Sequence, residues 1–244
     1  MTTVEQSTVQ WGTTKIPYLI RRSTSRRTVA VAVEPSGTVV LTAPAKLPVE
    51  RLDGVVRKKA RWIVERVRRR SEVPPAPQHE FVSGESVLYL GRNYRLRVVT
   101  SGGAALVRFD RGGLIASIPR DIPSLKRPSA VRQALERWMR QRATDRLPER
   151  VDLWAKKLGV TVRGVLVREQ RQRWASCDAL GRLRFNWRIV QAPMSLVDYV
   201  VAHELTHRLH KDHTPRFWAA LGRVMSDYEQ RKERLRVLGP ALSW

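Results

Sequence analysis

Residues 201–213 read VAHELTHRLHKDH, and they hold four of the five histidines in this chain of 244 residues. Within this stretch, residues 203–207 form the pattern H-E-x-x-H. Residues four apart on a helix share a face, so His203 and His207 can bind the same metal ion. Glu204 is then placed to reach a metal-bound water without binding the metal itself. The pattern therefore predicts a zinc site on a helix, with Glu204 as the general base.

The residues before the motif predict that this helix packs into a hydrophobic core. The stretch SLVDYVVAHELTH, residues 195–207, is apolar at Leu196, Val200 and Leu205. Ser195 is a suitable N-cap for a helix that begins there. The competing interpretation is that both histidines are ordinary hydrogen-bonded residues of an amphipathic helix.

The third metal ligand is either His210 or His213. His213 follows His207 by six residues, the spacing of sites of the type H-E-x-x-H-x-x-G-x-x-H, although His210 replaces the glycine. In a continuous helix, the Cα atoms of His203 and His210 would lie about 10 Å apart along the axis, a long reach to a shared metal. A ligand at His213 needs the helix to end near Lys211, and Pro215 disfavours continuation of the helix through Thr214. The spacing favours His213; His210 then supports a ligand, donates a proton near the substrate or lies exposed.

The charge of the chain is strongly positive, with 46 Lys and Arg against 22 Asp and Glu and a formal net charge of +24. Such a field attracts nucleic acids, nucleotides or acidic proteins, and it equally describes a solvated arginine-rich surface. A hydrophobic content of 42% is sufficient for a folded core. No stretch is typical of a signal peptide or a membrane span, and Cys177 is the only cysteine. We therefore expect a cytoplasmic protein with no membrane partner.

Strand and turn patterns divide the chain into three segments. Residues 1–78 are expected to form strands and then a basic amphipathic helix that includes residues 57–70, and a proline-rich connector ends this segment. Residues 79–125 are typical of short strands, and residues 126–244 of a helical catalytic portion that can be continuous with them. The sequence shows no internal repeat.

Four stretches form a specific combination: RWASC (173–177), LRFNWRIVQAP (183–193), DYVVAHELTH (198–207) and HKDHTPRFW (210–218). Together they resemble the YgjP-like family of zinc-dependent hydrolases and metallopeptidases, over about residues 18–238. The resemblance implies an α+β fold with a zincin-like catalytic domain, related to the SprT-like peptidases. In that fold the active-site helix packs on a small mixed sheet, preceded by a β-rich N-terminal portion.

The resemblance also implies a zinc ion (Zn2+) bound by His203, His207 and His213, with Glu204 as the general base. Family members usually have glycine at the position of Ala175. If that glycine serves a left-handed backbone, the local turn is altered here, and if it serves close approach of the substrate, Ala175 narrows that approach.

In zincins, an edge strand beside the active helix pairs with the extended substrate, as in β-strand addition. The residues expected to line this groove are Arg173, Trp174, Ser176, Asn186 and His210. For Trp174 the pattern favours a core aromatic over a groove residue, and Cys177 is expected to be a small buried side chain. Candidates to stabilise an oxyanion are His210, Tyr199 and Arg173.

The first functional hypothesis is a zinc metallopeptidase that acts on a peptide or protein substrate. The first alternative is a zinc-dependent nucleotide pyrophosphatase, an activity assigned to some members of the resembled family, although no phosphate-binding glycine motif is present. The second alternative is a basic protein that associates with nucleic acid and has a subordinate metal site. The helix that includes residues 57–70 motivates it, and a solvated helix face is the simpler explanation of those charges.

Overall fold

The computed structural model describes residues 4–34, 36–71, 78–170 and 173–242. The chain forms two compact units, Met1–Pro74 and Pro75–Trp244. Their boundary lies in the proline-rich stretch that was expected to end the first segment at residue 78. The second and third expected segments, 79–125 and 126–244, lie in the same unit and share one hydrophobic core. No helix of the described residues is long and apolar enough to cross a membrane.

The first unit is a four-stranded sheet with two helices. Its strands are β1 (Val4–Trp11), β2 (Thr14–Ser23), β3 (Ala30–Val33) and β4 (Val39–Pro44), and its helices are α1 (Val49–Lys58) and α2 (Ala60–Ser71). The basic segment was expected to be one helix, but it is interrupted at Lys59, whose N–H is shared between the carbonyls of Val55 and Val56. The apolar face still forms one surface, because Val56, Ala60 and Ile63 are all buried.

The second unit begins with another four-stranded sheet and a long helix. The elements are β5 (Ser86–Tyr89), β6 (Arg92–Ser101), β7 (Leu106–Asp110), β8 (Gly113–Pro119) and α3 (Arg127–Leu158). A short 3-10 turn, Ser124–Lys126, leads into α3. α3 ends at Gly159, which adopts the left-handed conformation at φ 66° that favours glycine.

The two four-stranded sheets have the same topology. Their strand orders are β1-β2-β4-β3 and β5-β6-β8-β7, each with one parallel central pair flanked by two antiparallel pairs. The parallel pairs end alike, with Ser23 opposite Pro44 and Ser101 opposite Pro119. In both sheets the residue after the proline donates its N–H to the serine carbonyl at 3.1 Å. The chain therefore contains a structural repeat that the sequence analysis missed.

The remaining elements form the catalytic part of the second unit. They are β9 (Gly164–Arg168), β10 (Ala175–Cys177), β11 (Arg182–Asn186), a 3-10 turn (Trp187–Gln191), α4 (Met194–Thr206), α5 (Pro215–Val224), α6 (Tyr228–Leu238) and a last 3-10 turn (Gly239–Leu242). The sheet order is β10-β11-β9, with β11 antiparallel to β10 and parallel to β9, so the sheet is mixed. Helix α4 contacts β10. The predicted α+β fold, with the active-site helix on a small mixed sheet, is confirmed.

A largely buried ion pair joins the active-site helix to α3. Arg150 of α3 donates two hydrogen bonds of 2.7 Å to the two carboxylate oxygens of Asp198 in α4. The side chains are only 26% and 11% exposed. Removing one partner of an ion pair that is this buried leaves the other charge uncompensated, which lowers the free energy of unfolding.

Asp198→Ala is expected to lower the free energy of unfolding by about 2–4 kcal/mol, because it leaves the Arg150 guanidinium without its partner. Urea unfolding followed by circular dichroism measures the change. The matched control is Glu149→Ala, which removes an ion pair with Arg146 whose side chains are 50% and 61% exposed. That change is expected to cost less than about 1 kcal/mol. Equal losses in the two variants would contradict the special role of the Asp198 pair.

Candidate active site

The H-E-x-x-H residues lie at the carboxyl end of α4. The helix ends at Thr206 with His207 as its C-cap. The N–H of His210 bonds to the carbonyl of Thr206 at 3.0 Å, which closes one further turn. The chain then leaves the helix axis before α5 begins at Pro215. This early end brings the segment that carries His213 back toward the helix.

Three imidazoles converge at this point. Candidate ligand atoms of His203, His207 and His213 all lie within 4.8 Å of one another. The Nε2 atoms of His203 and His213 face each other at 3.0 Å. The ring centroids of the three pairs are separated by 4.8–5.1 Å. Helix α4 thus supplies His203 and its C-cap supplies His207, and the segment after the helix supplies His213.

The backbone carbonyl of His210 fixes the orientation of one imidazole. It lies 3.2 Å from Nδ1 of His207. Because a carbonyl only accepts hydrogen bonds, Nδ1 carries the proton, and Nε2 of His207 keeps its lone pair for a metal ion. His210 therefore supports a candidate ligand through its main chain, while its own imidazole is not in the converging group.

The charge states of the imidazoles suit a cation. Burial, then the neighbouring His207, His213 and Lys232, lowers the pKa of His203 to about 3. Burial also lowers the pKa of His213, with His207 and Lys232 acting in the same direction. His203 is therefore neutral near pH 7, as a metal ligand must be. Nδ1 of His203 is buried and has no hydrogen-bond partner among the described residues, so Nε2, which faces His213, is the nitrogen available to the site. The residues present fit a divalent metal ion such as zinc.

The carboxylate of Glu204 is buried beside the imidazoles. Burial raises its pKa to about 7, while the backbone N–H of Cys177 and the nearby charge of Arg173 act in the opposite direction. A carboxylate with a pKa near the working pH is suited to accept and return a proton. The hydrogen bond from Cys177 also places Glu204 next to β10.

Strand β10 is an edge of the mixed sheet. It pairs with β11 on one side, with Ala175 opposite Phe185 and Cys177 opposite Leu183. Ala175 is not among the residues with positive φ, so the replacement of the family's glycine leaves an ordinary strand conformation here. The other expected reason for the glycine, close approach of a substrate, stays a prediction.

The predicted groove residues lie on and around this edge. Arg173 is exposed, and its charge acts on Glu204. Ser176 is half-buried within β10. Trp174 packs against the hydrophobic core and against Gly239, where an added Cβ would lie 3.4 Å from the ring. That contact supports the interpretation of Trp174 as a core aromatic.

Asn186 is buried, and its amide is bonded to main-chain groups. The side-chain nitrogen donates to the carbonyl of Gln170 at 2.8 Å, and the oxygen accepts the N–H of Arg188 at 3.1 Å. The bond from Arg188 caps the 3-10 turn that precedes α4. A contact of Asn186 with substrate stays a prediction. Tyr199, a candidate for the oxyanion, is buried with its ring 5.9 Å from that of His203, and burial raises its pKa to about 12.

The comparison with family models gave one match that decides the relationship. The model of the YgjP-like metallopeptidase domain matches residues 27–237. The chain belongs to the YgjP-like family. This YgjP-like chain is accordingly a metallopeptidase-like hydrolase. The comparison with curated proteins gave no match.

Two solved structures are similar to parts of this YgjP-like chain. The metallopeptidase zymogen abylysin of Pyrococcus abyssi is 17% identical with a TM-score of 0.35, and the match covers 36% of this chain and 90% of abylysin. The zymogen jannalysin of Methanocaldococcus jannaschii is 22% identical with a TM-score of 0.34, covering 38% of this chain and 94% of jannalysin.

The turn between β10 and β11 is closed by Asp178. One carboxylate oxygen accepts the N–H groups of Leu180 and Arg182 at 3.0 and 2.9 Å. The other accepts from the guanidinium groups of Arg182 and Arg184 at 2.8 and 3.0 Å. The backbone bond from Arg182, followed by the guanidinium groups, lowers the pKa of Asp178 to about 2.

Asp178→Asn is expected to lower the melting temperature at pH 7, because the amide loses the charge that these donors stabilise. The folded-state pKa lies below the ordinary value of 3.8, so the charge stabilises the fold above about pH 4. This contribution is lost as the pH falls toward about 2. The difference in melting temperature between Asp178→Asn and the wild type should therefore shrink over that range. Thermal unfolding at a series of pH values measures it. A difference in melting temperature that does not change with pH would contradict a stabilising role for the charge of Asp178.

Proposed function

We propose that the protein is a zinc-dependent metallopeptidase in which Glu204 is the general base. The convergence of the imidazoles of His203, His207 and His213 beside the buried carboxylate of Glu204 carries the proposal. A zinc ion held by His203, His207 and His213 would polarise the scissile carbonyl and acidify a water molecule. Membership of a metallopeptidase family supports the reaction class.

The chain's own residues perform the proton transfers and orient the reacting groups. Glu204 accepts a proton from the attacking water and delivers it to the leaving amine. The carbonyl of His210 holds the His207 ring in the orientation that leaves Nε2 free. The N–H of Cys177 holds the Glu204 carboxylate beside β10. Burial of Glu204 excludes water that would weaken its basicity.

Strand β10 is the proposed binding edge for an extended peptide. The carbonyl of Trp174 accepts the N–H of Asn186 in β11 at 2.7 Å. Because backbone groups alternate along a strand, the N–H and C=O of Ala175 point away from β11, to the side where no other described strand pairs with β10. A peptide strand that bonds to Ala175 would lie along the edge that also carries the hydrogen bond to Glu204.

The test is hydrolysis by the zinc-loaded protein of a casein digest and a mixed peptide library, with a panel of nucleoside triphosphates assayed in parallel. We expect peptide cleavage that a chelator abolishes and that added zinc restores. Cleavage of the triphosphates without cleavage of any peptide would favour the pyrophosphatase alternative instead. A cytosolic location is part of the proposal, because the single cysteine, Cys177, cannot form an internal disulfide, which fits a reducing compartment.

A second candidate function is binding of single-stranded nucleic acid by the helices of the first unit. Trp62 of α2 is 46% exposed, although large aromatic side chains are mostly buried in a folded domain. Exposed cations without an ion-pair partner among the described residues surround it in sequence: Arg57, Lys58, Lys59, Arg61 and Arg66. The arginines of α3 differ, since many of them pair with carboxylates. Unpaired cations beside an exposed indole fit phosphates and stacked bases.

This second candidate is tested by fluorescence anisotropy with a labelled 20-nucleotide single strand, titrated at several salt concentrations. We expect affinity to fall with salt, and Trp62→Ala to weaken binding at least about fivefold through lost base stacking. Trp11→Ala is the matched control, because Trp11 is also 40% exposed in the same unit. Heparin carries charge without bases, so an equal effect of Trp62→Ala on heparin binding, or a flat salt dependence, would contradict the proposal.

A further inference from the structure

Lys232 of α6 contacts an aromatic side chain that in turn packs against the converging histidines. Its Nζ atom is 4.3 Å from the ring centroid of Trp218. The Trp218 ring is stacked on that of His213, with centroids 5.6 Å apart and planes inclined by 27°, and its centroid is 5.9 Å from that of His203. Tyr228 stacks on the same indole at 5.4 Å. The ammonium group is therefore held near the converging imidazoles by a packed aromatic cluster.

Lys232 has no counter-charge in the part of the chain that the structure describes. No carboxylate of the described residues lies within ion-pair distance of it. Neighbouring charges on α6 differ: Arg231 pairs with Asp227 at 2.9 Å, and Arg236 pairs with Glu233 at 2.6 Å.

Lys232 is exposed, so water solvates its ammonium group when no substrate is bound, and an anion can reach it. In the absence of a substrate the face of Trp218 stabilises the ammonium group, and it also limits the positions that the flexible side chain can take. The anions that a peptide carries at physiological pH are its acidic side chains and its C-terminal carboxylate. Either can reach a cation that lies a few residues along the chain from the scissile bond.

We propose that Lys232, supported by Trp218, forms a subsite for a carboxylate of the peptide substrate. The proposal rests on the proposed peptidase function. It makes Lys232 a specificity residue: its ammonium group pairs with the carboxylate and sets the register of the peptide relative to the metal-binding histidines. The carboxylate can belong to an acidic side chain or to the C-terminus, and the two sources are separated by experiment.

The test measures binding, so that it does not depend on turnover. The zinc-loaded Glu204→Gln protein is titrated with fluorescein-labelled, amidated, alanine-rich octapeptides that carry one Glu at successive positions, and with the matching Gln peptides. A Gln peptide with a free C-terminal carboxylate tests the second source. We expect at least one carboxylate peptide to bind about three- to fivefold more tightly than its neutral counterpart.

Lys232→Met, introduced into the same protein, is expected to abolish this preference, and Lys232→Arg to retain much of it. The matched control is Lys157→Met, because Nζ of Lys157 lies at the same 4.3 Å from the ring of Trp154 in α3. That variant should keep the full preference. The proposal is overturned if no carboxylate peptide is preferred, or if the preference survives in Lys232→Met. Failure of the zinc-loaded wild-type protein to hydrolyse any peptide contradicts the peptidase function alone.

Discussion

Glu204→Gln is expected to reduce kcat/KM for peptide hydrolysis by about 10²–10⁴-fold while the protein still binds zinc. The amide has the same shape as the carboxylate and can still accept the hydrogen bond from the N–H of Cys177. It cannot take a proton from the attacking water, because an amide oxygen is far less basic. Since Glu204 is not one of the converging ligands, the three imidazoles keep their positions. Metal content by mass spectrometry and initial rates on the same preparation measure both effects.

Two comparisons make the Glu204 result specific. Glu149→Gln changes an exposed glutamate of α3 in the same way and should leave both zinc content and rate unchanged. Glu204→Asp keeps the charge but withdraws the carboxylate by one methylene, so we expect a rate between those of wild type and the glutamine variant. Full activity in Glu204→Gln would exclude this residue as the general base.

The local part of the site was predictable because a helix converts sequence spacing into position. His203 and His207 lie one helical turn apart, so the motif itself indicates that they share a face. His213 was predictable less directly, through Pro215, which disfavours continuation of the helix. The structure adds that α4 already ends at Thr206. Its end is set by packing and by the turn at His210, and neither leaves a periodic signal in the sequence.

The residues that the sequence analysis missed act across long separations. Lys232 lies 19 residues after His213 along the chain and reaches the site only because α6 packs against α4. Cys177 was expected to be a small buried side chain, yet its backbone N–H, which no side-chain pattern reveals, bonds to Glu204. Contacts of this kind depend on tertiary packing, so spacing within one element cannot indicate them.

The repeated sheet topology was missed for a different reason. A strand order is specified by alternation of apolar residues and by turns, and many sequences satisfy the same alternation. In the two sheets, the shared features are the serine opposite a proline at the end of the parallel pair and the hydrogen bond that follows it. Two residues in about forty are too few to stand out by inspection of one sequence.

His213→Ala is expected to weaken zinc binding by more than about a hundredfold, whereas His210→Ala should change it by less than about tenfold. The imidazole of His213 belongs to the converging group, with its Nε2 atom 3.0 Å from that of His203. His210 contributes its backbone carbonyl to His207, and alanine keeps that carbonyl. The two variants therefore separate a side-chain ligand from a main-chain support within four residues of sequence.

Competition against a fluorescent chelator of known zinc affinity measures both constants, and circular dichroism confirms that the variants remain folded. A small loss of zinc affinity in His210→Ala would indicate only a less rigid turn. The backbone bond from residue 210 to the carbonyl of Thr206 does not need the imidazole and is kept by alanine. If His210→Ala lost zinc as completely as His213→Ala, then the third ligand would be the residue at the position of the glycine in the longer motif. In that case the helix would have to continue for another turn beyond Thr206 when zinc binds. The Cα atoms of His203 and His210 would then lie about 10 Å apart along the axis, which is a long reach to one metal ion.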